Sequence, residues 1–113
     1  DFEYAYNKDG NIDGRLYNAK LSREEATNLI NAFCQRVIEK GYIPAIYASS
    51  NIFKPHLNAN ELCNDAKIWV ADYNKRVTYK GNYDFWQYSN EGSCPGVNSK
   101  YVDTNYWYIQ KEK

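Results

Sequence analysis

The spacing of hydrophobic and polar positions along the chain switches between a period of two and a period near 3.6, and these switches mark out its elements. Residues 1–5 alternate: in an extended strand Asp1 and Glu3 share one face, while Phe2 and Tyr4 share the other. A strand is therefore expected over Asp1 to Ala5. From Asn7 to Asn18 the pattern lapses, and Asp9-Gly10 and Asp13-Gly14 favour turns, so this stretch reads as a loop leaving the first strand. Ala26, Leu29, Ile30, Phe33, Val37 and Ile38 then recur at helical spacing, with Arg23, Glu24, Asn28, Gln35 and Glu39 on the other side. Ser22 and Glu25 form a Ser-x-x-Glu capping box ahead of this run, and Gly41 supplies a stop. The pattern predicts an amphipathic helix over Ser22 to Lys40 that covers one face of a sheet.

Tyr42 to Ser49 is largely apolar and follows a helix, which fits a buried parallel strand with Pro44 near its start. Ser50 to Leu57 reads as a short helix interrupted by Pro55, and Asn60 to Asn64 as a turn. Ala66 to Tyr73 and Tyr83 to Ser89 are strand-like, separated by a polar stretch with Gly81-Asn82. In the second, Asp84, Trp86 and Tyr88 share one face. A loop from Gly92 to Ser99 leads to a last strand over Tyr101 to Ile109, with Asp103 near its beginning, and Lys111 to Lys113 reads as frayed. Strand, helix, strand implies an α/β fold in which residues 1–5 and 42–49 lie parallel and adjacent, joined by a right-handed crossover. Ligands in such units sit beyond the carboxyl ends of the strands, where Glu3, Tyr47 and Ser49 converge.

Composition narrows the picture. At 113 residues the chain is one domain at most, well short of the ~250 residues of a complete eight-stranded α/β barrel. Fourteen basic and fourteen acidic residues cancel without runs of either sign, so neither nucleic acid nor an anionic membrane is an expected partner. Twelve tyrosines and three tryptophans suit either sugar rings or an aromatic strand core, and composition leaves both open. Cys34, Cys63 and Cys94 cannot all pair within the chain. Without a CxxC, and with His56 as the sole histidine, they supply no zinc spacing, so no metal or cofactor is expected. Cys34 reads as a small buried hydrophobe, Cys94 as a free loop thiol and His56 as a surface residue; one disulfide stays open. The chain has no apolar run of membrane-spanning length, no signal segment and no Met, which reads as a processed or cut start.

The candidate chemistry lies in Asp1 and Glu3. Two neighbouring carboxylates disfavour each other's ionisation, so one can keep a proton while the other stays charged, as glycoside hydrolysis requires.

Asp1-Phe2-Glu3, LSREEATNLINAFCQRVIEKGYIPAIYASSNIF, WVADYN, YDFWQYS and GSCPGVNSKYVDTNYW, in that order, resemble the C-terminal half of the family 25 glycoside hydrolases, the Chalaropsis-type lysozymes. The resemblance spans essentially the whole chain. It implies the C-terminal portion of a modified TIM-like β/α barrel, parallel strands with helices closed by short antiparallel strands, beginning at the middle strand with the family's Asp-x-Glu. By that resemblance Glu3 takes the place of the general acid, Asp1 that of the carboxylate steadying the reacting sugar, and Asp103 that of a late aspartate. Tyr47, Trp86 and Gln87 resemble cleft residues. Asp72 stands where the family more often has Gln. A further aspartate that the family contributes from its first strand has no counterpart here.

Two functions follow as expectations. In one the chain is the acid-bearing half of a peptidoglycan hydrolase, a muramidase cleaving between N-acetylmuramic acid and N-acetylglucosamine, secreted or acting at the cell wall as a phage endolysin or bacterial autolysin. In the other it is a non-catalytic half-barrel that binds wall saccharide or serves assembly. Either way, open sheet edges are expected to invite homo-oligomerisation or strand exchange.

Overall fold

In the computed structural model, which describes residues 1–109, the chain forms a mixed α/β domain with one four-stranded sheet and one two-stranded ribbon. The elements are β1 (Ala5–Tyr6), β2 (Ile12–Asp13), α1 (Arg15–Asn18), α2 (Arg23–Glu39), β3 (Ala45–Ser49), α3 (Ser50–Phe53), a 3₁₀ turn (Ala59–Glu61), β4 (Lys67–Ala71), β5 (Phe85–Gly92) and β6 (Val102–Trp107). Lys111 to Lys113 lie outside the described residues.

The long helix forms where its signals place it. The Ser22 hydroxyl accepts from the Glu25 backbone N–H at 3.1 Å, and the Glu25 carboxylate accepts from the Ser22 N–H at 3.0 Å, closing the capping box. At the other end Gly41 has φ +85°; its N–H donates to Ile38 O and the Tyr42 N–H donates to Val37 O, which satisfies the last turn's carbonyls. The buried face differs from the expected one. Ala26, Thr27, Ile30 and Cys34 are buried, whereas Leu29 and Phe33 are 56% and 62% exposed. The cause is a polar tether to the loop after α3. The Thr27 hydroxyl accepts from Asn58 N at 2.9 Å, Asn31 Oδ1 accepts from Cys63 N at 2.8 Å, and the Arg23 guanidinium donates to Leu57 O at 3.1 Å. These bonds turn the Thr27 side of α2 inward and leave Leu29 and Phe33 rimming a cavity of about 200 Å³ with Asp1, Phe2, Ala45 and Ile46.

The main sheet runs β3-β4-β5-β6, with β3/β4 and β4/β5 parallel and β5/β6 antiparallel. Its register stacks side chains in rows across all four strands. Ala48, Val70, Trp86 and Tyr106 lie in one row, Tyr47, Trp69, Phe85 and Trp107 in the row on the opposite face, and Ser49, Ala71, Gln87 and Asn105 in the next row on that same face. Helix α2 covers the first face: Ile46, Ala48 and Val70 join Phe2, Ala26, Ile30, Cys34, Ile52, Phe53, Leu57 and Leu62 in a single core. At Gly92, where β5 and β6 slip register, an added Cβ would sit 2.5 Å from the Thr104 methyl and 3.0 Å from Val102 O, so only glycine fits there.

The N-terminal segment departs from expectation. Residues 1–4 form no strand, and the first pairing, Ala5–Tyr6 with Ile12–Asp13, is antiparallel and lies in a separate ribbon. Asn7 explains this: its carboxamide oxygen accepts from the N–H groups of Asp9 and Asn11, and its N–H donates to Asn11 O, folding the chain back after Tyr6. The expected loop from Asn7 to Asn18 thus contains β2 and α1. Residues 1–4 still run beside β3, tied by Phe2 N–H to Tyr47 O at 2.8 Å. Asp1 and Phe2 share a cavity with Ala45 and Ile46, and Glu3 and Tyr4 share another with Tyr47 and Ser49, so the two segments run in the same direction. Phe2 is buried and Asp1 and Glu3 exposed, as the alternation required. Cys34 is buried, Cys94 exposed, and all three thiols are free.

Leu57, fully buried at the foot of α3, closes the core between that helix and α2. Leu57→Ala is expected to destabilise the chain by about 2–5 kcal/mol, read from urea unfolding; a loss within about 0.5 kcal/mol, the scale of a surface change, would contradict this core.

Candidate active site

At the carboxyl ends of β3 and β4 a cavity of about 460 Å³ is lined by Glu3, Tyr4, Tyr6, Ile12, Tyr47, Ser49, Ser50, Asn51, Ile52, His56, Ala71, Asp72 and Tyr73. Strand geometry brings them there. Tyr47 and Ser49 occupy the face of β3 opposite Ile46 and Ala48, and the Asn7 fold-back lays Tyr6 and Ile12 over the entrance. His56 is exposed at the rim, edge-on to Tyr4 with ring centroids 5.4 Å apart.

The floor beside this cavity is a pair of phenols on one amide. The Tyr47 hydroxyl donates to Gln87 Oε1 at 2.9 Å and the Tyr73 hydroxyl to the same oxygen at 2.6 Å. Gln87 is buried, and Trp69 next to it donates its indole N–H to Asn105 Oδ1 at 2.8 Å. Burial pushes the Tyr47 hydroxyl far above the ordinary phenol range, helped by Tyr73 and by the negative charges of Glu3 and Asp103. Burial likewise raises Tyr73, with Asp103 adding to it. Both phenols therefore stay neutral donors. The charges of Glu3, from the N-terminal segment, and Asp103, from the start of β6, act on both hydroxyls of a polar cluster formed by Tyr47 of β3, Tyr73 just beyond β4 and Gln87 of β5.

Asp72 sits at the cavity edge, but its carboxylate is occupied by protein. It accepts from the Ser50 hydroxyl at 2.7 Å, the Thr78 N–H and hydroxyl at 2.8 and 2.9 Å, and the Asn74 N–H and side-chain amide at 3.1 and 2.7 Å. Burial alone would raise this carboxyl; the bonds from Thr78, Ser50 and Asn74 outweigh it and hold the group well below the usual carboxylate range. The result is a staple that fixes the loop from Asp72 to Thr78 against α3.

Of the residues singled out from sequence, Glu3, Tyr47 and Asp72 line the cavity, Gln87 adjoins it through the phenols, and Asp103 acts on the two hydroxyls only through its charge. Asp1 faces the other cavity, beside Leu29 and Phe33. Trp86 faces the core side of β5, its indole N–H donating to Asp72 O at 2.7 Å, because neighbours on a strand point to opposite faces. Tyr73 was not picked out. The alternation Trp69, Ala71, Tyr73 along one face of β4 and beyond it carried that signal.

Carboxylates and neutral phenols thus gather beyond the carboxyl ends of the parallel strands, where ligands of open α/β sheets bind. Residues 1–97 match the model of glycosyl hydrolases family 25, and the chain belongs to that family. It is 27% identical over 77 residues to the autolytic lysozyme of Clostridium acetobutylicum, covering 67% of this chain and 23% of that protein. Its fold resembles a family 25 glycosyl hydrolase from Bacillus anthracis (TM-score 0.67, 20% identity, 88% of this chain and 47% of that one). It also resembles a muramidase from Acremonium alcalophilum (TM-score 0.65, 23% identity, 93% and 48%). The chain thus spans about a quarter of that lysozyme and just under half of each solved structure.

The Asp72 staple predicts a pH dependence. Its folded pKa lies below its unfolded value of about 4, so the stability it contributes is complete above about pH 4 and is lost as pH falls toward the folded value. Asp72→Asn should lower stability at neutral pH by about 1–3 kcal/mol, since donors from Ser50 and Thr78 lose their acceptor, and should flatten the acid limb of the unfolding profile. Urea midpoints that match the parent at neutral pH and in acid would contradict it.

Proposed function

We propose that these 113 residues are the acid-bearing C-terminal half of a peptidoglycan muramidase, a single partial domain of a TIM-like barrel whose other half supplies the facing wall of the cleft. The observation that carries this reading is the position of Glu3: exposed at the cavity beyond β3, it bears with Asp103 on the Tyr47–Gln87–Tyr73 cluster inside a chain that belongs to a glycosidase family. In this role Glu3 protonates the departing glycosidic oxygen and Asp103 helps place the sugar, while Asp1, which opens into the separate cavity beside Leu29 and Phe33, is left without contact to the reacting ring. Tyr47, Gln87 and the backbone held by Asp72 line the sugar path, with Trp86 buttressing it from behind. The substrate is the glycan strand of the bacterial wall, so the site of action is the wall itself.

The test uses the chain joined behind an N-terminal half from a family 25 domain, with release of reducing ends from purified peptidoglycan as the readout. Glu3→Gln should lower turnover at least ~10²-fold, the scale of general acid catalysis, with saccharide binding nearly unchanged, and Asp103→Asn should lower it less. A Glu3→Gln protein that keeps more than about a tenth of the activity removes Glu3 from the acid role, and a parent protein without activity overturns the reading.

A further inference from the structure

A series of hydrogen bonds fastens the segment after α3 along one stripe of α2. Arg23 donates to Leu57 O at 3.1 Å, the Thr27 hydroxyl accepts from Asn58 N at 2.9 Å, and the Asn31 side chain both donates to Glu61 O at 2.7 Å and accepts from Cys63 N at 2.8 Å. The bonds advance from Arg23 to Asn31 on the helix as they advance from Leu57 to Cys63 on the loop, so helix and loop run in the same direction. The next position on that stripe is Cys34, one turn beyond Asn31. Residues three apart on a helix have Cβ atoms about 5–6 Å apart, so Cys63, whose own N–H is bonded to the Asn31 side chain, lies within a side chain's reach of Cys34. Both belong to the same packing: Cys34 is buried in the core and Cys63 packs against it. Burial pushes the Cys34 thiol up, and the neighbouring Cys63 adds to the rise. The two thiols differ in access. Cys34 is fully buried, whereas Cys63 is half-buried and opens on a polar cavity of about 500 Å³ that it shares with Asn64, Asp65, Lys67 and Lys80. A reagent in solvent therefore meets Cys63 first.

We propose that Cys34 and Cys63 are a paired dithiol that closes to a disulfide by exchange with a small-molecule disulfide, covalently pinning the loop after α3 to α2. The Cys63 thiolate attacks one sulfur of the incoming disulfide, which forms a mixed disulfide on Cys63 and releases one small thiol. Cys34 then attacks the Cys63 sulfur, and the second small thiol leaves. Two protein thiols are oxidised, one small disulfide is reduced, and the two cysteine protons end on the two released thiols. Because hydrogen bonds already hold the loop on this stripe, closure follows the existing path of the chain. The bond closes a loop of about 30 residues, which restricts the unfolded chain and so stabilises the folded one. Neither step uses Glu3 or the phenols, so the inference stands apart from the lytic reading.

The test uses the full 113-residue chain carrying Cys94→Ser, which removes the exposed third thiol, incubated folded with oxidised glutathione. Its intact mass without reductant should fall by two hydrogens with no glutathione attached, and a digest should contain the cross-linked peptide joining Cys34 to Cys63. The thermal midpoint should rise by about 5 °C or more and return on reduction. Adding Cys34→Ala should halt the reaction at one glutathione on Cys63. Adding Cys63→Ser instead, at the edge of the core, should leave Cys34 unmodified in the folded chain, which keeps the order of attack testable even where Cys34→Ala weakens the packing. A folded chain that keeps both thiols free, one that holds glutathione on Cys63 without closing the bond, one that cross-links only in urea, or a cross-linked chain no more stable than the reduced one, overturns the proposal.

Discussion

The structure depends on one constraint, the two-residue alternation of side chains across a sheet whose register is held over four strands. Because Ala48, Val70, Trp86 and Tyr106 align in one row and Tyr47, Trp69, Phe85 and Trp107 in the row on the other face, the sheet has a single division of labour along its whole width. One face is closed by α2 and α3 through apolar burial. The other gathers aromatic and polar groups that the core does not use. A one-residue slip in any strand would send a Tyr47 or a Gln87 into the core and a Val70 into the cleft, so packing energy on the back of the sheet enforces the chemistry on its front.

The polar ties extend this logic to the loops. Asp72 is buried as an acceptor for five donors, and the loop it fixes returns the chain so that Tyr73 meets Gln87. Trp86 contributes from the core side by donating to Asp72 O, which links the hydrophobic layer to the staple. The phenols are thus positioned by a buried carboxylate at the cavity edge and an indole on the core side of β5, and a change at either is felt at the phenols.

Local signals in the chain were sufficient where the physics is local. The Ser22–Glu25 capping box and the Gly41 stop bound α2 within a residue of expectation, since caps are satisfied by neighbours in sequence. Strand alternation likewise put Phe2 inside and Tyr47 on the open face. What sequence left hidden was set partly by distant partners and partly by local bonds that look like ordinary loop polarity. Helix α2 turned its Thr27 side inward because Asn58 and Cys63 bond to it, which no periodicity within the helix reveals. Asp72 resembled a cleft residue, and its occupation by Ser50 and Thr78 is visible only once α3 and the loop are packed. The Asn7 fold-back was concealed because an Asn side chain that closes a tight ribbon looks, in sequence, like any loop polar residue.

If the division between the two faces governs this protein, saccharide must bind on one of them only. Chemical-shift mapping of the ¹⁵N-labelled chain titrated with a chitin oligosaccharide tests that directly. The account predicts the largest changes at Glu3, Tyr47, Tyr73 and the Gln87 side-chain amide, with Tyr88, Tyr106 and Tyr108 on the opposite face unmoved. Changes centred on Tyr88 and Tyr106, with the Gln87 amide unaffected, would contradict it.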